Sequence, residues 1–266
     1  MEVTSGLHVH LGHSKGWTLD QLKRFACFWF LAEDTIMHLH RKDRGTDEKW
    51  CAKMKTSSNL WQALYSDDRN VREEYESIVE WHSEELNEQY LAFMREEVPN
   101  MPGLDQLDLG YLRALYRISS ITNLRWAMNS DEVRVGLRWR VGGYTSTFDP
   151  QATMKSQTIE ARIMAGTLDA DHIINWITIL EHIVTIARDW SRTRFRRMLE
   201  RFIPNRTLPN LLREIGVSEQ VQAYWLDPRR RDGTNTWWEY PDRDRVDWQQ
   251  PFNVRGHRAT HGALYD

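Results

Sequence analysis

Apolar and polar residues alternate along Thr4 to Leu11. Leu7, Val9 and Leu11 fall on one face, and Gly6, His8, His10 and Gly12 on the other. A period of two belongs to a strand, so this segment predicts a short strand with one apolar and one imidazole face, broken by Gly12 and Gly16. The period then changes. Leu22, Phe25, Ala26, Trp29, Ile36 and Leu39 recur at helical spacing to about His40, and Thr18-Leu19-Asp20-Gln21 forms a capping box with Thr18 as N-cap. Residues 41 to 70 are charged and contain Ser and Asn, which assigns them mostly to loop. A second helix is expected from Val71 to Val98, stopped by Pro99. A Val-Pro-Asn-Met-Pro-Gly loop follows, then a short helix capped by Asp108 and running through Ile118.

Alternation returns twice. From Val133 to Val141, Val133, Val135, Leu137 and Trp139 share one face, and Arg134, Arg138 and Arg140 the other; Gly142-Gly143 turns the chain. From Gln157 to Met164, Ile159, Ala161 and Ile163 face the core, while Thr158, Glu160 and Arg162 lie side by side facing away from it. A long helix is then expected, capped by Thr167 or Asp169, with a core stripe of Ile173, Ile177, Leu180, Val184 and Ala187. Further helices are expected over Phe195 to Phe202, in Leu-Pro-Asn-Leu-Leu-Arg-Glu-Ile-Gly, and in Ser-Glu-Gln-Val-Gln-Ala-Tyr-Trp-Leu. From Asp227 the composition shifts to Arg, Asp, Trp, Gly and Pro without a period. The pattern therefore divides the chain into a domain over 1–226 and a largely irregular polar and aromatic tail over 227–266. The class read from it is α+β, with helices in the majority and a few strands carrying the polar residues. Neither internal repeats nor a coiled-coil heptad interrupts that picture.

Composition narrows the classes. The 266 residues are enough to bury a sizeable core. A net charge of −3 and a pI of about 6.4 give no global basic field, so no nucleic-acid partner is expected. Cys27 and Cys51 cannot build a disulfide framework or a cysteine-rich metal site, and Cys27 reads as a buried, inert thiol. The polar first residues do not read as a signal peptide, and no apolar run approaches the roughly 20 residues of a membrane span. The expected setting is cytoplasmic, without a membrane partner. Without secretion, the sequon Asn205-Arg206-Thr207 carries no meaning.

Three groups of residues bear chemistry. His8 and His10, two apart on a strand, project from one face roughly 6.5–7 Å apart along it. They could share a metal, or one could bind metal while the other meets a phosphate; two ordinary hydrogen-bonded histidines are the plain alternative. Glu160 and Arg162 form either an ion-pair set on a sheet face or a hard-cation ligand beside an anion clamp. Arg134, Arg138 and Arg140 form either a solvated strand face or an anion-binding wall. No Walker loop, Gly-x-Gly-x-x-Gly or Ser-His-Asp order accompanies them.

Taken together, Ser5–Gly12, Leu22–Arg44 and Gln157–Val184 resemble the amidoligase family, within the carboxylate–amine ligase superfamily of glutamine synthetase and glutamate–cysteine ligase. The carrying residues are Gly6 to Gly12; Leu39, His40 and Arg44; and Thr158, Ile159, Glu160 and Arg162, followed by Gly166 to Asp169. The resemblance spans about Thr4 to Ile186, loosely between Cys51 and Asp131. It implies a glutamine-synthetase-like curved antiparallel sheet backed by helices, with the active site on the concave face. It implies ATP-dependent joining of a small-molecule or peptide carboxylate to an amine, with ATP and Mg²⁺ as cofactors. His8 would be a metal ligand, His10 a metal or phosphate neighbour, Glu160 a metal ligand, and Arg162 the clamp on phosphate or substrate carboxylate. Asp169 would remain a helix cap. In that family the histidine strand follows strands bearing paired glutamates, so the N-terminal part of the sheet is expected to be missing. The chain then reads as the C-terminal portion of a longer protein, truncated, with its activity as written left open. Two other readings stand beside this one. One is a non-catalytic remnant binding module. The other is a His-x-His metal-dependent amidohydrolase, which requires a barrel of repeated βα units. Substrate identity and oligomeric state stay open.

Overall fold

The computed structural model describes residues 6–12, 15–40, 51–66, 69–78, 103–130, 133, 135, 137–140, 158–167 and 169–227. Its architecture is α+β and helix-rich. In chain order come β1 (Gly6–Gly12), α1 (Leu19–Met37), α2 (Met54–Ser57), α3 (Asn59–Tyr65), α4 (Arg69–Ile78), α5 (Gln106–Arg117) and α6 (Ile121–Met128). They are followed by β2 (Leu137–Arg140), β3 (Thr158–Ala165), α7 (Ala170–Asp189), α8 (Arg192–Phe202), a 3₁₀ turn at Ile203–Asn205, α9 (Leu208–Ile215) and α10 (Glu219–Leu226).

The three strands form one antiparallel sheet in the order β1-β3-β2. A βα barrel needs parallel strands with a helix between successive ones, so the described sheet does not support the amidohydrolase reading. β3 is the centre strand, and its register puts His10 opposite Glu160 on one side and Arg138 opposite Glu160 on the other. Between Leu7 and Val9 the register shifts: Leu7 pairs with Met164 but Val9 with Ala161. Two β3 residues, Arg162 and Ile163, therefore oppose the single residue His8. Such a bulge bends the strand and increases its local twist.

α1 is the central element. It starts as the sequence predicts: Thr18 Oγ1 accepts from Gln21 N at 3.2 Å, and Gln21 Oε1 accepts from Thr18 N at 3.0 Å. Its amphipathic stripe is wider than the periodicity implies, because nearly every position from Leu22 to Met37 is buried. A helix buried all round needs each polar residue matched. Lys23 Nζ donates to Tyr116 O at 2.7 Å, Arg24 NH1 to Trp190 O at 2.8 Å, and Glu33 accepts from Met54 N and Lys55 N at 2.8 Å each. Phe30 stacks on Tyr111 with centroids 3.8 Å apart. Cys27 is fully buried, as expected.

Several elements depart from the pattern. The expected loop over 41–70 contains α2, α3 and the start of α4; Ser58 caps α3, and the buried Met54, Leu60 and Ala63, split between two short helices, set no period. The helix expected from Val71 starts at Arg69 and is described to Ile78; its continuation to Val98 lies outside the described residues. Asp105, not Asp108, caps α5: its Oδ1 accepts from Asp108 N at 2.6 Å, and Asp108 turns into the core instead. α6, capped by Ser120, adds a helix that the periodicity does not announce. β2 is described over Leu137–Arg140; of the expected start, Val133 lies outside the strand and Val135 bridges Ala52 instead, while Val141 lies outside the described residues. Asp169 caps α7, accepting from His172 N at 3.2 Å, while Thr167 Oγ1 accepts from Asp169 N at 3.0 Å. The α7 core stripe runs through Trp176, Ile179, Leu180 and Ile183, with Ile173 and Ile177 only half-buried. The tail from residue 228 onward lies outside the described residues. Among the described residues no helix is long and apolar enough to cross a membrane.

Candidate functional site

Glu160 lies on the centre strand and is 1 % exposed; Arg162, two residues on, is 4 % exposed. The sequence places them on a polar face turned from the core, yet β3 is buried on both faces from Ile159 onward. Two opposite charges out of water stay ionised only when each is the other's partner. Arg162 NH1 donates to Glu160 Oε1 at 2.9 Å.

β1 brings the two imidazoles to the same carboxylate oxygen. His8 Nδ1 is 3.0 Å from Glu160 Oε1, and His10 Nε2 is 3.8 Å from it. Both side chains are open to solvent, His8 at 38 % and His10 at 45 %. The alternation read from the sequence is what turns them together: Leu11 packs into the core while His8 and His10 lie opposite. The four residues singled out by sequence thus converge, with a buried carboxylate–guanidinium pair as floor and two half-exposed imidazoles as rim.

One contributor was missed as a site residue. Thr158 Oγ1 lies 3.3 Å from His10 Nδ1. A hydroxyl can donate or accept, so Thr158 supports either tautomer of His10 and fixes its ring orientation. Its position two residues before Glu160 on one strand face was the available signal. The register also sets Arg138 in the same row as His10 and Glu160, and Arg140 opposite Thr158. Of the other family-pattern residues, His40 is buried edge-on to Trp176 with centroids 4.5 Å apart. Arg44 and Arg134 lie outside the described residues. A hollow of about 310 Å³ between α7 and α10, lined by Asp171, Asn175, Gln220, Ala223, Tyr224 and Asp227, contains none of the four converging residues.

The donor set bears on Mg²⁺. Glu160 Oε1 is shared by an imidazole and a guanidinium, and a hard cation prefers several oxygens. Among the described residues no group of three or more His, Cys, Asp or Glu side chains is arranged to hold a metal ion. His8, His10 and Glu160 therefore do not make a cation cage by themselves.

On the antiparallel sheet, the centre strand carries a buried carboxylate–guanidinium pair under two half-exposed imidazoles, which makes one polar cluster. The model of a family described as "putative amidoligase enzyme" matches residues 1–184, which include all four converging residues. The chain belongs to this amidoligase family. Searches of curated proteins and of solved structures returned no match.

Proposed function

We propose that the chain's site serves ATP-dependent formation of an amide bond between a carboxylate and an amine, on a glutamine-synthetase-like sheet. The observation that carries this reading is the convergence of His8, His10 and Arg162 on one carboxylate oxygen of Glu160, within the segment that matches the family. In such a reaction the substrate carboxylate takes the γ-phosphoryl group of ATP and releases ADP. The amine then attacks the acyl carbon, expels phosphate and loses a proton. Mg²⁺, when bound, would neutralise phosphate charge; its remaining ligands would come from groups beyond these four.

The chain's own residues contribute as follows. Arg162 is a fixed positive charge beneath the imidazoles, and its burial strengthens its attraction for a phosphate or substrate carboxylate. Glu160 orients that guanidinium and keeps the floor neutral before a ligand arrives. His8 and His10, open at the rim, are the first groups a ligand meets. Thr158 holds His10 in place. The substrates would be a small-molecule or peptide acid and an amine, in a cytoplasmic setting.

Hydroxylamine trapping tests this directly. The full chain is incubated with Mg²⁺-ATP, a panel of carboxylates and hydroxylamine, and hydroxamate is measured. The reading expects an ATP-dependent hydroxamate with at least one acid, lost in Glu160→Gln and Arg162→Gln. A chain that neither binds Mg²⁺-ATP nor forms hydroxamate with any acid would sink the proposal and leave the binding-module reading ahead.

A further inference from the structure

The region beyond the family match carries a charge distribution unlike the rest of the chain. From Arg188 to Arg213 there are eight arginines, no lysine and only two acids, in a chain whose net charge is −3. Most of these arginines lie on α8, where the structure separates two faces. Phe195, Met198, Leu199 and Phe202 are fully buried. Arg192, Arg194, Arg197 and Arg201 are exposed.

Neutralisation on that face is incomplete. Arg194 packs over the Trp190 ring at 4.0 Å and has no carboxylate partner among the described residues; neither does Arg197. Arg201 Nε lies 2.7 Å from Glu214 Oε2, but Glu214 is shared, with Arg213 Nε 3.5 Å from its other oxygen. One buried carboxylate thus faces two guanidiniums. Arg194, Arg197 and Arg201 follow one another at i, i+3 and i+7, so they form a single stripe along the helix.

We infer that the exposed face of α8 is a docking surface for a short acidic segment of a polypeptide. Three features choose this occupant. The apolar face of α8 is already used in the core, so the helix cannot lie in a bilayer with that face inserted. The stripe is made of arginine alone, whose planar fork matches carboxylates in pairs. The 11-residue helix is about 16 Å long, the reach of roughly five extended residues. A longer polyanion such as a nucleic acid would run off the stripe onto a chain that is acidic elsewhere, and would be repelled there.

The test uses the full chain and a labelled hexaglutamate peptide, with binding followed by fluorescence anisotropy at low salt. A single-stranded oligonucleotide of matched charge and phosphatidylserine vesicles are the competing probes. The expected result is saturable hexaglutamate binding that weakens with salt. Arg194→Gln/Arg197→Gln should weaken it about tenfold, as the loss of two exposed charge contacts implies. These two positions hold no buried carboxylate, and an unchanged circular dichroism spectrum establishes that the variant is folded. The inference is overturned by no binding, by binding that the double substitution leaves unchanged, or by tighter binding to the oligonucleotide or vesicles than to the peptide. None of these outcomes depends on ligase turnover.

Discussion

Asp108 and Glu160 are both 1 % exposed and both meet cations, yet their surroundings differ in kind. Asp108 ties segments together. Lys55 Nζ lies 3.1 Å from its Oδ1, and Arg206 NH2 donates to its Oδ2 at 2.7 Å. Each partner is held in turn: Arg206 NH2 also donates to Gly103 O at 2.9 Å, its own carbonyl accepts from Thr35 Oγ1 at 2.8 Å, and Lys55 lies over the Phe30 ring. Nearby, Glu33 binds the backbone N–H groups of Met54 and Lys55, closing α2 onto α1. Around Asp108, α1, α2, α5 and the turn after α8 are pinned to one another. Around Glu160 only the floor is closed; two of the groups that approach it remain more than a third exposed. Burial of a charge therefore does not by itself mark a site. What distinguishes Glu160 is that its neighbours keep faces a ligand can reach.

The sharpest way to break this comparison is Asp108→Ala. It takes from Arg206 its buried carboxylate and leaves Lys55 only the exposed Asp34, 3.9 Å away, and should cost about 3 kcal/mol of folding stability. Denaturant unfolding checks it, and a loss under about 1 kcal/mol would mean the cluster is not a staple. Next comes Glu160→Gln, which keeps the volume and one acceptor for Arg162. Its unfolding free energy should fall by less than that of Asp108→Ala, while hydroxamate formation should drop about a hundredfold. The opposite order, a large stability loss with intact chemistry, would place Glu160 with Asp108 as structural.

A third effect depends on pH. Burial raises the Glu33 carboxyl from 4.5 to about 7, against the lowering pull of the Lys55 and Met54 N–H groups and the Trp29 indole. The folded chain thus binds this proton more tightly than the unfolded one. The stabilisation is complete below about 4.5 and is lost as pH rises through about 7. Stability should decline across that window by on the order of 1–3 kcal/mol, and Glu33→Gln should flatten the slope. Urea titrations at several pH values decide it; an unchanged slope in the variant would assign the dependence to another group. The smallest effect belongs to Thr158→Val, which removes the hydroxyl beside His10 Nδ1. Stability should change by about 1 kcal/mol or less, with the His10 tautomer shifted in ¹⁵N spectra and Thr158→Ser restoring it. Identical spectra for wild type and Thr158→Val would remove Thr158 from the site.

Local periodicity carried much of this. The alternation at Leu7, Val9 and Leu11 is a property of neighbours two apart, and it put both histidines on one face. The capping box at Thr18 and Gln21 is equally local, as is the Asp169 cap. The sequence resemblance also picked out Glu160 and the three residues that converge on it. The failures have a common cause. Short helices such as α2 and α3 are held by the distant Glu33 carboxylate and by the Ser58 cap respectively, so no period announces them. The cap of α5 moved to Asp105 because Asp108 has distant partners in Lys55 and Arg206, and pairing across about fifty and a hundred residues leaves no trace in local order.

By itself, then, the sequence determined the helix-rich α+β class, the imidazole face of β1, the polar row on β3 and the arginine-rich composition of the region after the family match. Only the tertiary structure decided that β3 is the centre strand, that its register brings His10 and Arg138 opposite Glu160, and that a bulge sets Arg162 and Ile163 against His8. It also decided that Glu160 and Arg162 lie buried under half-exposed histidines instead of on an open face. The physical reason is that alternation and periodicity are set by bonds within a segment, whereas pairing, burial and the partner of a charge are set by segments that meet only when the chain folds.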